Sequence, residues 1–405
     1  MWRYFVGFLI SCFTVPTLAQ QQVSLREIDQ EVSFSFEATN DFLLLNVRFN
    51  NVLPLKFIFD TGSEHTILFK KDFSDLLGIE YQKRIPLLGS DLSQQIYGYI
   101  ARGIYLNLDN SCVARSDILV LEEDYLGLDE FTGINIDGII GANVFRHFVV
   151  HINNKQGKIN LIRPEYFKMP RRYQKVDIDI YKNKPYISAI AKLGSLEIIL
   201  RMLLDTGAAL PLLLYTNTHE DLTLPETTIT GHLGMGLGGF LEGYIGRIDH
   251  FQFGEFEYNS LIASFQELNI DSLLDLNLNK NGIIGNSMLK RFNYYIDYNH
   301  EILYIKANRK YRKRFQYDKS GLVIAAAGYN LRNYVIQRVI PGSPAQEAGL
   351  IEGDVIKKIQ RIPATFYTLS GINSILSSRR GKKVHLTIHR DGQRVKKKLK
   401  LRDLI

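Results

Sequence analysis

Phe57-Ile58-Phe59-Asp60-Thr61-Gly62-Ser63 recurs as Met202-Leu203-Leu204-Asp205-Thr206-Gly207-Ala208, displaced by 145 positions. Outward from this segment the register holds. Gly89 meets Gly234, and Gly98-Tyr99-Ile100-Ala101-Arg102 meets Gly243-Tyr244-Ile245-Gly246-Arg247, at the same displacement. Further on, Gly138-Ile139-Ile140-Gly141 recurs as Gly282-Ile283-Ile284-Gly285, now displaced by 144, with Phe148 matching Phe292 and Ile152 matching Ile296. One deletion accounts for the change. A single tripeptide arises easily by chance, whereas landmarks kept in order from Phe57 to Ile152 identify an internal duplication. The copies span about 32–163 and 173–307.

Each copy reads mainly as strand. Apolar runs at 42–49 and 55–59 and the alternation Ile104, Leu106, Leu108 within 100–108 carry that pattern. Helix is scarce, with short candidates at 142–147 and 286–291, each followed by a strand from Phe148 or Phe292. From Lys306 onward the chain carries 23 Lys and Arg against 6 Asp and Glu, a net +17, whereas the preceding part carries 26 against 36, a net −10. Such a step marks a domain boundary. A basic connector at 308–316 leads to a last unit at 317–403. The connector reads as a solvated charge run, with contact to an anionic envelope surface as the alternative.

The repeated motif suits one chemistry. Two carboxylates sharing a proton can hydrolyse a peptide bond, one as base on a water and the other as acid on the carbonyl oxygen. Brought within about 3 Å, they cannot both ionise cheaply, so one proton is retained. An apolar strand places each Asp at its end. The hydroxyls of Thr61 and Thr206 are suited to tie the two loops together, and Gly62 and Gly207 let backbone amides approach the acids.

Phe-Asp-Thr-Gly-Ser and Leu-Asp-Thr-Gly-Ala, each followed by an apolar-apolar-Gly motif, resemble retropepsin-like aspartic proteases. The resemblance implies Asp60 and Asp205 as catalytic acids, supported by loop residues Thr61, Gly62, Ser63, Thr206, Gly207 and Ala208. It also implies that 138–141 and 282–285 pack beneath the catalytic loops. Duplication within one chain implies a pseudo-two-fold monomer. The family's flap fits 231–243, with Gly234, Met235, Gly236, Leu237 and Gly238 as substrate contacts. The equivalent stretch at 88–97 is richer in Asp, Ser and Gln, which implies an asymmetric cleft. Two further differences separate the copies. Ser63 faces Ala208 in the repeat, and its hydroxyl is expected to donate to Asp60, favouring the ionised form there and leaving the proton on Asp205. Pro211 stands where the first copy has Thr66, which makes the second loop irregular.

Other chemistries find little support. Gly234, Gly236 and Gly239 match a nucleotide-binding glycine pattern, but that site needs a helix start, and 240–248 reads as strand. The nine His show no metal-ligand spacing, so neither metal nor cofactor is expected. Cys112 reads as a structural cysteine. The first nineteen residues combine Arg3, an apolar run from Tyr4 to Phe13 and Thr17-Leu18-Ala19, the pattern of an export signal at 1–19. Within it Leu9-Ile10-Ser11-Cys12 resembles a lipobox, which leaves a lipid anchor on Cys12 as an alternative. Export places the basic tail where nucleic acid is not an expected partner.

Val339-Ile340-Pro341-Gly342-Ser343-Pro344-Ala345, followed by Ala348-Gly349-Leu350-Ile351-Glu352-Gly353-Asp354-Val355-Ile356, resembles the PDZ domains associated with bacterial proteases. Ser343 is placed to cap a short helix with Pro344 at its first position, and Gly349 to end it. PDZ domains bind peptide or protein C-termini by strand addition. The resemblance implies a carboxylate loop at Gly321-Leu322-Val323-Ile324 and a groove helix near 371–378. The Lys-rich surface, including 396–398, favours acidic peptide ends.

The expected architecture is therefore mainly β: two retropepsin-like lobes in pseudo-two-fold arrangement, then a PDZ-like partly open β-barrel with two short helices. The expected activity is that of a periplasmic or extracellular aspartic endopeptidase acting on polypeptides. The alternative is a non-catalytic peptide-binding scaffold.

Overall fold

The computed structural model describes residues 30–88, 95–109, 112–237, 239–268 and 280–405. The expected export signal, Cys12, Gly89 and Gly238 lie outside the described residues. In the first lobe the elements are β1 (Glu31–Ser35), β2 (Glu37–Thr39), β3 (Phe42–Phe49), β4 (Leu53–Phe59), β5 (Ile67–Leu68), α1 (Lys71–Leu76), β6 (Tyr81–Leu88), β7 (Gln95–Asp109), β8 (Cys112–Leu121), α2 (Leu128–Thr132), β9 (Gly138–Ile140), α3 (Ala142–Phe145), β10 (Val149–Asn153) and β11 (Lys158–Ile162). The second lobe holds β12 (Gln174–Asp177), β13 (Asp179–Tyr181), β14 (Lys184–Leu193), β15 (Leu196–Asp205), β16 (Leu212–Tyr215), β17 (Thr228–Gly236), β18 (Gly239–Phe253), β19 (Phe256–Gln266), β20 (Gly282–Gly285), β21 (Phe292–Asp297) and β22 (Ile302–Ala307).

The duplication seen in the residues recurs in the topology. One sheet has the order β2-β3-β4-β9-β5-β8-β7-β6 and the other β13-β14-β15-β20-β16-β19-β18-β17, strand for strand the same path. A third sheet, β1-β11-β10-β21-β22-β12, takes strands from both copies and joins the lobes where β10 runs antiparallel to β21. Strand β3 shows why the lobes are layered. Leu43, Leu45, Val47 and Phe49 face a core that continues through both lobes, whereas Phe42 and Leu44 on the opposite face enter a separate apolar cluster beside the aspartate loop. A strand covered on both faces loses the polar alternation of a half-exposed one, which is why this segment begins Phe-Leu-Leu-Leu.

After the connector come β23 (Leu322–Ala327), β24 (Asn333–Val339), β25 (Val355–Ile359), β26 (Ile362–Pro363), β27 (Lys383–Arg390) and β28 (Gln393–Lys400), in one sheet ordered β23-β24-β25-β27-β28 with β26 on β25. Its own core contains Ile324, Tyr334, Ile356, Ile372 and Leu386. Ser343 caps the helix Pro344–Glu347 by accepting from the Gln346 amide at 3.3 Å, and Gly349 follows it at φ +67°. The second helix, Leu369–Leu376, starts two residues before the expected groove helix because Thr368 caps it, accepting from the Gly371 amide at 3.1 Å.

Candidate active site

Strands β4 and β15 deliver Asp60 and Asp205 to the junction of the lobes. Beneath each lies the Gly-Ile-Ile-Gly element. Phe59 pairs with Ile140 in parallel register and Asp205 with Gly285, and the Asp60 amide donates to the Ile140 carbonyl at 3.0 Å. Glycine is required here by space. A Cβ on Gly138 would lie 2.4 Å from the Ile67 carbonyl oxygen, and one on Gly282 would lie 2.1 Å from that of Leu213.

The two threonines cross-link the loops. The Thr61 amide donates to Thr206 Oγ1 at 3.0 Å and the Thr206 amide to Thr61 Oγ1 at 3.1 Å. Each hydroxyl in turn donates to the carbonyl of the residue before the other lobe's aspartate: Thr61 to Leu204 at 2.8 Å and Thr206 to Phe59 at 2.7 Å. The Gly62 amide donates to Asp60 Oδ1 and the Gly207 amide to Asp205 Oδ1, both at 2.7 Å. The two carboxyls stand within hydrogen-bonding reach of each other.

Burial, then the charge of Asp205 and the hydrogen bond shared with it, hold the Asp60 carboxyl well above its ordinary 3.8, while the Gly62 and Ser63 amides pull the other way. Asp60 is buried and Asp205 half-buried. This corrects the expected role of Ser63. Its hydroxyl donates to the His65 carbonyl at 2.7 Å, turned away from the acid, and burial favours the proton on Asp60. The counterpart of Thr66 is also corrected. Ile67 pairs with Ile139 and Leu213 with Ile283, so the second loop is one residue longer and Leu212, not Pro211, falls opposite Thr66. In the first lobe the Gly141 amide donates to Thr66 Oγ1 at 3.1 Å; in the second the Gly285 amide donates to the Pro211 carbonyl at 3.2 Å. Ala208 supplies the same support as Ser63 through its backbone, its carbonyl accepting from the Asn286 amide at 2.7 Å as that of Ser63 accepts from Ala142 at 2.9 Å.

The hairpin β17–β18 closes at Gly236 opposite Gly239, with Gly234 at φ +147° and Met235 in the first strand. Leu237 at its tip reaches the first-lobe cluster of Ile58, Ile67 and Ile136, whereas Leu233 and Ile245 pack with Leu203, Tyr215 and Ile283 of the second lobe. The hairpin thus reaches from the second-lobe cluster to the first-lobe one. Two lysines not singled out in the sequence stand near Asp205. Burial lowers Lys280, countered by the Asp205 charge, and burial followed by the Lys280 charge lowers Lys184.

Gly321 sits at φ +78°, where a Cβ would meet the Ser343 side chain at 2.1 Å. Leu322, Val323 and Ile324 begin β23, an edge strand that packs against both the helix Leu369–Leu376 and α2 of the first lobe. A cavity of about 950 Å³ opens between this strand, the connector and the lobes. Arg338 of β24 pairs with Glu242 of β18 at 2.7 Å.

The aspartyl-protease family model matches residues 45–144 and again 191–288, and a PDZ domain model matches 335–390. Among solved structures, an aspartic proteinase from Irpex lacteus is similar over 70% of this chain and 99% of its own, at 12% identity and a TM-score of 0.42. The photosystem II D1 C-terminal processing protease is similar at 24% identity over 21% of this chain, with a TM-score of 0.20; this chain spans 23% of that protein's length. No curated protein matches the chain. With the aspartyl-protease unit matched twice and the PDZ unit once, the chain consists of two retropepsin-like aspartyl-protease lobes within one polypeptide, followed by a PDZ domain.

Proposed function

We propose that this protein is an exported, monomeric aspartic endopeptidase in which Asp60 and Asp205 act as the catalytic pair and the PDZ domain binds peptide ends. The single observation carrying this reading is the pair of carboxyls within hydrogen-bonding reach of each other, each also receiving a glycine amide. Asp60 begins the reaction protonated and Asp205 ionised. A water between them loses a proton to Asp205 as its oxygen adds to the peptide carbonyl carbon, and Asp60 gives its proton to the carbonyl oxygen. The resulting gem-diol returns a hydroxyl proton to Asp60 and the amide nitrogen takes the proton held by Asp205. The C–N bond then breaks and the pair regains its starting charge. The threonine cross-links keep the acids in register, and the flap excludes bulk water from the charged transition state.

Purified protein incubated with an unfolded polypeptide is expected to release fragments with new termini inside the chain, and pepstatin, Asp60→Asn and Asp205→Asn each to stop this. Undiminished cleavage in either Asn variant would remove the pair from the reaction, and binding without cleavage by the parent protein would favour the scaffold reading. Export is supported by the apolar run at 4–13 and is tested by recovering the protein from the cell envelope or medium.

A further inference from the structure

The two walls beside the acids are built from equivalent strands but not from equivalent residues. Ile58 and Leu203 stand two residues before Asp60 and Asp205; Ile58 pairs with Leu44 and Leu203 with Tyr186. Two residues further back on the same strand faces lie Phe42 and Lys184. A second equivalence follows from hydrogen bonds. The Lys56 amide donates to the Asp137 carboxylate at 2.8 Å, and the Asp137 amide to the Lys56 carbonyl at 2.8 Å. Arg201 and Asn281 repeat both contacts at the same distances, so Ile136 in one lobe answers to Lys280 in the other. Phe42 and Ile136 are buried in the first-lobe cluster. At both positions the second lobe carries an amine.

Lys280 Nζ lies over the ring of Tyr215, 5.3 Å from its centroid, and Tyr215 packs with Leu203 and Ile283 on the second-lobe wall. The charge of Lys280 acts against that of Lys184, Glu64 of the first lobe and then Asp205 act for it, and Lys280 feels Asp205. Among the described residues no carboxylate comes within ion-pair distance of either amine, Glu64 acting on Lys184 from further off. Two amines in partly desolvated surroundings are stabilised by an anion brought between them. A substrate backbone lying across the acids presents its side chains to these walls.

We propose that Lys184 and Lys280 form a carboxylate-binding subsite on the second-lobe wall, so that the cleft selects polypeptides with an acidic side chain on that side of the scissile bond and an apolar one on the first-lobe side. This inference rests on the proposed protease reading. It assigns the substrate class to an asymmetry between the lobes.

The test uses peptide pairs of the full-length protein's substrate that differ only in Glu against Gln, one pair for each position flanking the scissile bond. One position is expected to favour Glu by about 10- to 100-fold in kcat/KM, the range of a charge-assisted hydrogen bond. Lys280→Ile and Lys184→Phe, which install the residues of the opposite wall, are expected to bring that ratio towards one, and Lys280→Arg to retain it. Equal rates for Glu and Gln at every position, or an unchanged ratio in Lys280→Ile with Lys184→Phe, would overturn the subsite. The same pairs are titrated by fluorescence anisotropy against Asp60→Asn. A Glu preference in binding that both lysine changes erase upholds the subsite even if turnover is absent and the protease reading fails; equal binding of Glu and Gln peptides there overturns it.

Discussion

Gly62 and Asp205, one from each lobe, stand so close that a Cβ on the glycine would lie 2.4 Å from the Asp205 Cγ; Gly207 and Asp60 repeat the relationship at the same 2.4 Å. Each glycine therefore borders the acid of the opposite lobe while its amide donates to the acid of its own. Gly62→Ala must push Asp205 aside. The expected result is a loss of about 100-fold or more in kcat with KM little changed, because small displacements of reacting groups are costly. Steady-state kinetics with a thermal melt checks that the fold survives.

The raised Asp60 carboxyl makes stability depend on pH with a definite sign. The folded protein holds this proton more tightly than the unfolded chain. The stabilisation is complete below the ordinary 3.8 and is lost as pH rises through the raised folded value. Asp60→Asn cannot ionise and escapes that loss. Its melting temperature relative to the parent is expected to rise between acidic and neutral pH, by about 3 °C or more. Calorimetry across that range decides it; a constant difference would place the proton elsewhere.

Thr61 and Thr206 are fully buried, and each hydroxyl both donates and accepts across the lobes. Thr61→Val keeps the shape but strands the Thr206 amide and the Leu204 carbonyl. Denaturant titration is expected to show a loss of about 2–4 kcal/mol, the range for unpaired buried polar groups. Thr61→Ser should recover most of it.

Gly133, just after α2, lies against the PDZ domain: a Cβ there would come 2.9 Å from Leu369 Cβ and 3.7 Å from Ala326 Cβ, and its φ is +72°. Gly133→Leu is expected to part the PDZ domain from the first lobe and loosen the backbone of the basic connector, whose Arg309, Lys310, Arg312, Lys313 and Arg314 side chains are exposed already. Trypsin should then cut between 309 and 314 about tenfold faster, read by gel and mass spectrometry. Unchanged digestion would show that the connector is held by other contacts, such as Arg291 donating to the Lys310 and Tyr311 carbonyls at 3.3 and 3.2 Å.

Much of the fold and site was legible in the residues because spacing and backbone needs leave a sequence trace. The repeated Asp-Thr-Gly, the paired glycine elements and the Ser343 cap all depend on positions where only certain residue types fit. Ser63 was misread because its hydroxyl has several acceptors within reach, and only the fold shows that the His65 carbonyl takes it. The extra residue of the second aspartate loop escaped notice because the sequence displacement is unchanged through Ala208, and only strand pairing reveals the shift. Lys184 and Lys280 carry no motif of their own and gain meaning when matched to Phe42 and Ile136.

By itself the sequence determined that the chain is a duplicated β protein with one acid per copy, because backbone turns, close glycines and apolar strands are local requirements written in residue order. Tertiary structure alone decided which acid is the more deeply buried, which way each hydroxyl points and that one wall is apolar while the other carries amines. Those properties depend on desolvation and on the field of neighbours far apart in the chain, which no local pattern records.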